Sequence, residues 1–567
     1  MVSDTGLCMK GRRYSGDMRA IALLLSLLLA VVTSIPSVAL ATDWYVAVDG
    51  TDPTNCENGT AESPWQTWTV PRTQGCIQPG DTVYFMAGVY ESGAGVFDGN
   101  NSKVIRLEGE EGAPIRLATD PQATGDWPVT FRGSFNLGGA GWGVIEGIEF
   151  EGDGEANVVL VSASHITLTD CLVRGRLEDV DLENAGNYDC VKILAADANQ
   201  NQIEDIQILG CTIRDCTQDA IDVTGARDVV YRNNEITNSW TMQVKGGTEN
   251  ILIEQNHIYD VRKGLNGAGM GGVNLGSPVI FTLPMDERFV AKDVVVRNNV
   301  IHGVEDWTTF GARGWQNVEI HHNTIYQASN NLLVLEAAGF NMDDPITAAY
   351  CENNPCDPCS NNLPDCWRIE FQARDVHFKN NIVHSPDLHA IRGYSASMEG
   401  FEASNNLYYS PDGEVAFRVD SESYSLATFP YEKASQEIDP GLMDLTTFDL
   451  SLREDSVAID SGAELDVGTD FLGLPRDAAP DIGAYEYGAG LGDDDDSADD
   501  DDSGDDDDSA GDDNDSAGDD DDDDDDFYDP VPPWTCACHQ DGTVGPPGGP
   551  GWVFGLLLLL SVRRRRG

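Results

Sequence analysis

The middle of the chain repeats a short motif in which apolar and polar residues alternate and an asparagine follows. Three copies are Asp228-Val-Val-Tyr-Arg-Asn-Asn-Glu-Ile, Asn250-Ile-Leu-Ile-Glu-Gln-Asn-His-Ile and Asp293-Val-Val-Val-Arg-Asn-Asn-Val-Ile. Alternation with a period of two places the apolar side chains on one face of a short β-strand. Asparagine tolerates left-handed backbone angles in a turn and can bond to a stacked neighbour. Each copy therefore predicts a strand followed by a turn.

The spacing of the copies predicts how they assemble. The turn asparagines are Asn234, Asn256, Asn299, Asn323, Asn381 and Asn406, and their spacings are 22, 43, 24, 58 and 25 residues. A unit of about 22 to 25 residues cannot bury its own apolar face, whereas stacked units can, with a rise of roughly 4.8 Å per coil. A leucine-rich repeat would need a regular leucine framework, and a β-propeller would need blades of about 40 residues. The pattern predicts an all-β parallel β-helix with little α-helix.

The repeats also divide the chain. We expect N-terminal coils over residues 42–150, regular repeats over 151–430 and a closing segment over 431–490. The two long spacings predict excursions from the solenoid at about 262–290 and 339–372. The body is thus expected to be one solenoid rather than several globular domains.

The N-terminus has the features of a secretory signal peptide spanning residues 1–41. Basic residues precede the apolar run Ala20–Val32, and Ala39-Leu-Ala41 offers a cleavage site. The sequence predicts an exported protein.

Charge and cysteine content agree with export. The formal net charge is −63, and the segment Asp493–Asp526 alone holds 23 aspartates. Such a surface repels phosphate backbones, which excludes nucleic acid as an expected partner. Residues 491–526 are predicted to be a disordered, extended linker, because like charges repel and nothing apolar can collapse. Without Cys8 and the tail residues Cys536 and Cys538, ten cysteines remain, an even number that favours disulfides in an oxidising compartment.

Three pairings or groups of cysteines are expected in the body. Cys171 and Cys211 occupy the same repeat position. If their coils are adjacent, they stack about 5 Å apart, within reach of a disulfide, whereas an intervening coil in residues 172–204 would double that distance. Cys56 is expected to pair with Cys76. The four cysteines of the second excursion are expected to pair among themselves rather than hold an iron–sulfur cluster; they are Cys351, Cys356, Cys359 and Cys366.

The repeats resemble those of the pectate-lyase-like right-handed β-helix superfamily. The stretches Trp44-Tyr-Val-Ala-Val-Asp-Gly and Pro79-Gly-Asp-Thr-Val-Tyr-Phe look like the opening coils of such proteins, and Asp481-Ile-Gly-Ala-Tyr-Glu is similar to a closing segment found before a C-terminal anchor. The resemblance implies a right-handed helix. It leaves activity open, because the superfamily includes lyases, hydrolases, epimerases and non-catalytic binders.

Residues 527–567 resemble the C-terminal sorting signal of myxobacterial-type surface proteins. They contain Cys536 and Cys538, a short apolar run and the terminal Arg563–Arg566. The resemblance implies that a sorting protease processes the tail at the cysteines and that the protein is attached to the outer membrane or cell surface.

Candidate binding residues lie on the strands that follow the longer turns. Because the apolar residues of these strands point inward, Lys192, Asp222, Gln243, Lys245 and Asn274 are expected to point outward on one exposed sheet, as a polar strip suited to a sugar chain. Asp189 and Asp219 start two of these strands at matching positions and are the expected ligands of a cation, calcium if any.

Lys245 is the candidate catalytic residue. Val244-Lys-Gly-Gly-Thr is similar to the lysine coil of some β-helix polysaccharide lyases, in which lysine acts as a base on a uronate and an arginine lies about one coil further on. The resemblance implies Arg262 as that arginine, although its register is not a clean single coil. A lysine base must have its pKa lowered from about 10.4 to roughly 7–8.

Two functional interpretations follow. One is a surface-anchored protein that binds extracellular polysaccharide or acts as an adhesin or stalk. The other is a lyase that cleaves a uronate-containing glycan by β-elimination. A hydrolase is disfavoured, because it needs two close carboxylates and the one adjacent aspartate pair in the body, Asp343-Asp344, falls in an excursion. Outward charges that converge near Lys245 would favour the enzyme, and a uniformly acidic exterior would favour the binder.

Overall fold

The computed structural model describes residues 41–488 of the chain with internal gaps. The gaps are 92–103, 155, 176–187, 195–202, 241, 263–264, 267–288, 306–307, 328–329, 337 and 342–367. Residues 1–40, the acidic segment 491–526 and the tail 527–567, for which a signal peptide, a linker and a sorting signal are predicted, therefore lie outside the described residues.

Three long sheets contain nearly all of the described strands. Sheet 1 consists of β1 (Asp43–Val46), β2 (Thr82–Phe85), β5 (Ile115–Thr119), β8 (Gly143–Glu146), β11 (Ile166–Thr169), β14 (Ile203–Leu209), β17 (Ala226–Arg232), β20 (Thr248–Glu254), β23 (Ala291–Arg297), β26 (Trp315–His321), β31 (Arg374–Lys379), β34 (Glu402–Ser404) and β38 (Glu432–Lys433). Sheet 2 consists of β3 (Gly88–Glu91), β6 (Val129–Arg132), β9 (Glu149–Glu151), β12 (Leu172–Arg174), β15 (Thr212–Arg214), β18 (Glu235–Thr237), β21 (His257–Val261), β24 (Val300–Val304), β27 (Thr324–Tyr326), β32 (Ile382–His384), β35 (Leu407–Tyr409) and β39 (Gln436–Glu437).

Sheet 3 completes each coil before the chain returns to sheet 1. It consists of β4 (Val104–Glu108), β7 (Phe135–Gly141), β10 (Val159–Val161), β13 (Val191–Leu194), β16 (Ile221–Thr224), β19 (Met242–Lys245), β22 (Leu265–Asn266), β25 (Thr308–Arg313), β28 (Asn331–Glu336), β33 (His389–Gly393), β36 (Phe417–Val419) and β37 (Glu422–Tyr424). All pairings within the three sheets are parallel except that of β37 with β36.

The remaining elements are short. They are the antiparallel pairs β29 (Ala338–Asn341) with β30 (Arg368–Phe371) and β40 (Leu442–Asp444) with β41 (Asp449–Leu452), the helix α1 (Thr69–Thr73), and 3₁₀ turns at Ser395–Ser397 and Leu426–Thr428. The expectation of little α-helix is confirmed. In the part of the chain that the structure describes, no helix is long and apolar enough to cross a membrane.

Stacking in register builds the core. Val229, Ile251 and Val294 follow one another in β17, β20 and β23, and each is at most 1% exposed. Because side chains alternate along a strand, the apolar set of every coil fills the interior and joins one continuous hydrophobic cluster. The predicted parallel β-helix is confirmed.

The two long spacings are insertions between coils that remain neighbours. β20 pairs directly with β23 across the first, and β26 pairs directly with β31 across the second. The strands β29 and β30 of the second insertion form their own antiparallel pair. The stack is therefore continuous where the sequence repeat is interrupted.

The six turn asparagines form a buried ladder between sheets 1 and 2. Asn234 Nδ2 donates to Asn256 Oδ1 at 2.9 Å, Asn256 Nδ2 donates to Asn299 Oδ1 at 3.0 Å, and the same bond joins each later pair. The predicted stacking is confirmed, but the left-handed backbone lies one residue earlier, as at Asn233 (φ 57°) and Asn298 (φ 52°). The preceding residue makes the bend, which leaves the ladder asparagine free to direct its amide inward.

Cys171 and Cys211 do not form the expected disulfide. Their coils are adjacent, since β12 pairs directly with β15, and both thiols are buried and free. Side chains stacked in register point in parallel directions and keep the strand spacing of roughly 4.8 Å, whereas a disulfide draws its Cβ atoms to about 3.8 Å. The thiols lie instead at 3.3 Å from Thr169 O and 3.4 Å from Leu209 O. The expected Cys56–Cys76 bridge is present, and the four cysteines of the second excursion lie outside the described residues.

From Gly441 onward, the closing segment folds back along the turns between sheets 1 and 2. Asn380 Nδ2 donates to Ala463 O, and Asn298 Nδ2 donates to Thr469 O, each at 2.7 Å. Hydrogen bonds of this kind join the segment to coils that are far apart in sequence. The segment is therefore part of the fold rather than an appendage.

Two further features hold the closing segment in place. The side chain of Arg476 is 1% exposed, and it donates to Asn298 Oδ1 and Glu486 Oε2, both at 2.9 Å. A second hydrophobic cluster joins Leu450 and Ile482 to outward residues of sheet 2, among them Ile382. The segment covers apolar side chains of sheet 2 that would otherwise face water.

Histidines buried under the closing segment predict a loss of stability in acid. Burial lowers the pKa of His321 to about 3 and that of His302 to about 4, and it holds the pKa of His322 well below its ordinary value. As the pH falls below about 6.5, the unfolded chain therefore binds more protons at these histidines than the folded chain does, and the folded state loses stability. Burial also raises the pKa of Asp481 to about 6 and that of Glu432 to about 7, so these carboxyls oppose the loss until they are protonated in both states, near pH 4. We expect the melting temperature to change little between about pH 7 and 5 and to fall steeply below about pH 4.5.

Calorimetry across this pH range tests the assignment. The double variant His321→Gln/His322→Gln should lose less stability between about pH 5 and 3.5 than the wild type, because it has two fewer buried bases to protonate. His377→Gln, at a partly exposed histidine paired with Glu319, is the matched control and should behave as the wild type. An acid loss in the double variant as large as that in the wild type would contradict the assignment.

Candidate active site

The candidate site lies on sheet 3, where β13, β16 and β19 are consecutive. Lys192, Asp222 and Gln243 are paired across these strands, and Thr224 is paired with Lys245. Their neighbours in each strand, such as Ile221 and Val244, are fully buried in the core. The predicted outward direction of the polar residues follows from this alternation.

The turns before β13 and β16 bring two more carboxylates to the same place. The backbone N–H of Cys190 donates to Asp219 O at 2.9 Å, and that of Asp219 donates to Asp189 Oδ1 at 3.3 Å. A disulfide between Cys190 and Cys216, with a Cα separation of 5.5 Å, ties the two turns together. This bridge fixes Asp189 and Asp219 one above the other.

Five charged side chains form what we call the carboxylate–lysine cluster: Asp189, Lys192, Asp219, Asp222 and Lys245. Lys192 Nζ lies 3.0 Å from Asp189 Oδ2 and also contacts Asp222 Oδ2. Lys245 Nζ lies 3.0 Å from the same Asp222 oxygen. It also donates to Gln243 Oε1 at 2.6 Å. Asp222 is thus shared by two ammonium groups.

Asp219 has a different environment from the other two carboxylates. Both of its carboxylate oxygens are buried and accept no hydrogen bond in the described structure. Carboxylate oxygens of Asp189, Asp219 and Asp222 nevertheless lie within 4.8 Å of one another. Burying an ionised carboxylate without a partner is costly, so this arrangement is either protonated or completed by a cation.

The pKa values of the cluster reflect this crowding. Burial, followed by the negative charges of Asp189 and Asp222, raises the pKa of Asp219 well above its ordinary range. Burial also raises the pKa of Asp189, although Lys192 opposes the shift. Burial acts to lower the pKa of Lys192, but the carboxylates of Asp222 and Asp189 outweigh it and raise this pKa overall. The cluster holds Lys192 as a cation and Asp219 as its most readily protonated carboxyl.

The polar residues expected to form an exposed strip on sheet 3 are buried at the centre of that strip. Asp222 is 0% exposed and Lys245 is 7% exposed, whereas Lys192 and Gln243 remain half-buried. The expectation of exposure was therefore wrong for Asp222 and Lys245. Opposite charges on adjacent strands draw together across the strand spacing and leave little room for water.

Arg262 lies in the turn after β21, one coil beyond the turn that carries Trp240. Its guanidinium carbon is 5.1 Å from the centroid of the Trp240 ring, and Trp240 N donates to Gln218 O in the turn of Asp219. Trp240 is 38% exposed. The arginine is therefore placed beside the loops that border sheet 3, and its assigned catalytic role stays a prediction. Asn274 lies outside the described residues.

Sequence reasoning did not find the Cys190–Cys216 disulfide or the exposed Trp240. A signal for the bridge was present, because Cys190 directly follows Asp189 and Cys216 lies three residues before Asp219. The repeat positions of Cys171 and Cys211 gave a more regular match and favoured the wrong pair.

Comparisons with known proteins bear on the fold. Residues 133–345 match the family model described as the right handed beta helix region. A search of curated proteins finds no match.

Three solved structures illustrate what the chain is similar to. The first is pectate lyase Pel9A, with 14% identity, a TM-score of 0.40, and coverage of 79% of this chain and 97% of that one. The second is the PL6 family polysaccharide lyase Pedsa3628 from Pseudopedobacter saltans, with 12% identity, a TM-score of 0.37, and coverage of 68% and 95%. The third is the GH136 lacto-N-biosidase from Eubacterium ramulus, with 13% identity, a TM-score of 0.39, and coverage of 74% and 71%.

The match to the family model and the three stacked parallel sheets agree with each other. The described body of this chain is a right-handed parallel β-helix.

Proposed function

We propose that the protein is a polysaccharide lyase that cleaves a uronate-containing glycan by β-elimination and depends on a divalent cation, calcium. The observation that carries the proposal is the unpartnered, buried carboxylate of Asp219, which lies beside two further carboxylates and the candidate base Lys245. β-Elimination from a uronate requires a positive charge that neutralises the sugar carboxylate and a base that removes the proton next to it. The three carboxylates can hold a cation for the first role, and Lys245 is the candidate for the second.

The residues fit a calcium ion. Calcium binds oxygen ligands, and Asp189, Asp219 and Asp222 together offer carboxylate oxygens within 4.8 Å of one another. Asp219 has no competing partner, while the other two carboxylates are shared with lysines. Bound there, calcium supplies positive charge that neutralises the uronate carboxylate and makes the neighbouring C–H more acidic.

Lys245 is placed to act as the base. In its neutral form Nζ takes the proton from C5 of the uronate, the electron pair forms the C4–C5 double bond, and the C4–O4 bond breaks. The leaving oxygen takes up a proton from water and becomes a new chain end, and the Lys245 ammonium returns its proton to water, so that charge and atoms balance. The side chain of Lys245 is 9% exposed, which limits the access of water to Nζ.

Lys192 has a supporting role. It pairs with Asp189 and Asp222 and is half-buried, with 19% of its side chain exposed. The protonated amine of Lys192 holds the two carboxylates in place and adds positive charge where the substrate carboxylate would lie. Gln243 accepts a hydrogen bond from Lys245 Nζ and so orients it.

The same geometry favours an enzyme over a binding module. A glycan-binding wall needs exposed polar and aromatic groups, and it gains nothing from three carboxylates packed out of water. Perturbed carboxyl groups that converge on a candidate base are typical of catalytic sites. Export, attachment to the cell surface and processing of the tail at Cys536 or Cys538 are part of the proposal and rest on the sequence of the two termini.

Product formation tests the proposal directly. The protein is incubated with pectate, alginate and other uronate polymers, with calcium or with a chelator, and the ultraviolet absorbance of unsaturated products is followed. We expect absorbance to rise on at least one polymer with calcium and to stop with the chelator. Binding of a polymer without any unsaturated product would favour the adhesin or stalk interpretation instead.

A further inference from the structure

A second cleft lies on sheet 2, far from the carboxylate–lysine cluster. It has a volume of about 420 Å³ and opens between the ends of β27, β32 and β35 on one side and the closing segment on the other. Lys245 is the member of the cluster nearest to the cleft along the stack, and its coil contains sheet 2 strand β18; β27 follows β18 by three coils, about 14 Å at roughly 4.8 Å per coil. A ligand of the cleft therefore occupies a site separate from the proposed catalytic one.

One wall of the cleft is a ladder of aromatic rings. Tyr326, His384 and Tyr409 end their strands in the same register. The ring centroids of Tyr326 and His384 are 5.2 Å apart, and those of His384 and Tyr409 are 5.0 Å apart. Each tyrosine ring lies at 71° to the ring of His384, which is buried between them. Tyr326 and Tyr409 are half-buried, so their rings are the part of the ladder that a ligand can reach.

The other wall comes from the closing segment and is mixed: Leu442, Met443 and Leu445 are its apolar residues. Its polar groups are the carboxylates of Asp439 and Asp444 and the guanidinium of Arg453. Arg453 is already paired with Asp455, through Nε at 3.1 Å from a carboxylate oxygen. The cleft is therefore acidic on balance, which disfavours an anionic ligand such as a uronate.

We infer that this cleft binds a neutral sugar residue. Rings of tyrosine offer an apolar face for the C–H face of a pyranose, while carboxylates and a guanidinium offer acceptors and donors for its hydroxyl groups. The volume lies at the lower end of the range of small-molecule sites, roughly 300–1,000 Å³. The site holds neutral parts of a glycan or a neutral surface sugar, whether or not the cluster on sheet 3 is catalytic.

Methyl glycosides of glucose, galactose and mannose are the probes, with galacturonic acid as the anionic comparison. Saturation-transfer NMR identifies binding, and calorimetric titration gives the dissociation constant. We expect at least one neutral glycoside to bind with a dissociation constant in the millimolar range and more tightly than galacturonic acid. Tyr409→Ala should weaken this binding at least about tenfold and Tyr409→Phe by less, because the second variant keeps the ring.

Two controls show whether the measured binding depends on the cleft. Tyr487→Ala, at an exposed tyrosine of the closing segment outside the cleft, should bind as the wild type does. Circular dichroism should show the same β-sheet content in all variants. The inference is overturned if no neutral glycoside binds at about 50 mM, if galacturonic acid binds more tightly, or if both Tyr409 variants bind like the wild type.

Discussion

Replacing Lys245 with alanine should reduce kcat/KM for the cleaved uronate polymer by about 1,000-fold or more, because general-base catalysis typically contributes 10²–10⁴-fold. The truncation removes the one amine that lies 3.0 Å from Asp222 and is also oriented by Gln243. Lys192 remains to pair with Asp222, so the solenoid should fold. Initial rates of unsaturated product formation and the melting temperature are measured on the same preparations.

Lys433→Ala is the matched control for this variant. Lys433 is 68% exposed on sheet 1 and pairs with Glu402 at 3.7 Å, so its removal should leave both the rate and the stability unchanged. Calcium affinity provides a second readout, since Lys245→Ala should retain it. If the Lys245 variant keeps wild-type activity, the base lies elsewhere in the molecule.

Replacing Asp219 with asparagine should have opposite effects on the protein without and with calcium. Without the cation, the variant replaces a buried carboxylate that has no partner with a neutral amide of similar shape, which should raise the free energy of unfolding at pH values where the carboxylate is ionised. With calcium at about 100 times its dissociation constant, the wild type should gain roughly 2.7 kcal/mol, whereas the variant should gain little. Lyase activity of the variant should fall with its loss of calcium affinity.

Thermal unfolding in chelator and in calcium measures both effects. Asp412→Asn, at an exposed aspartate after β35, is the control and should follow the wild type under both conditions. Equal stabilisation of wild type and Asp219→Asn by calcium would place the cation elsewhere. A variant that is less stable than the wild type in chelator would show that the carboxylate is structural.

The repeat pattern predicted the fold because register is a local property. The alternation in each copy of the motif indicates which residues point inward, and the spacing of Asn234, Asn256 and the later asparagines indicates where each coil turns. The buried amide ladder confirms this. The closing segment has no such repeat, and its return over Asn298 and Asn380 depends on hydrogen bonds between positions 171 and 83 residues apart.

The site could be predicted only in part for the same reason. Matching positions in successive coils predicted that Asp189 and Asp219 lie together, but they assigned Asp222 to the sugar-binding strip, whereas the structure places it beside these two carboxylates. Register does not give the depth of a side chain, so it missed the burial of Lys245 by its ion pair. Register also favoured a disulfide between Cys171 and Cys211, which are in register, over the actual disulfide between Cys190 and Cys216, which lie in turns of unequal length.

Anomalous diffraction from crystals grown in calcium tests the central proposal most directly. The proposal predicts one strong peak about 2.3–2.6 Å from carboxylate oxygens of Asp189, Asp219 and Asp222. The same peak should be absent from crystals of Asp219→Asn grown in the same solution. Wild-type crystals at saturating calcium with no peak among these carboxylates would contradict it.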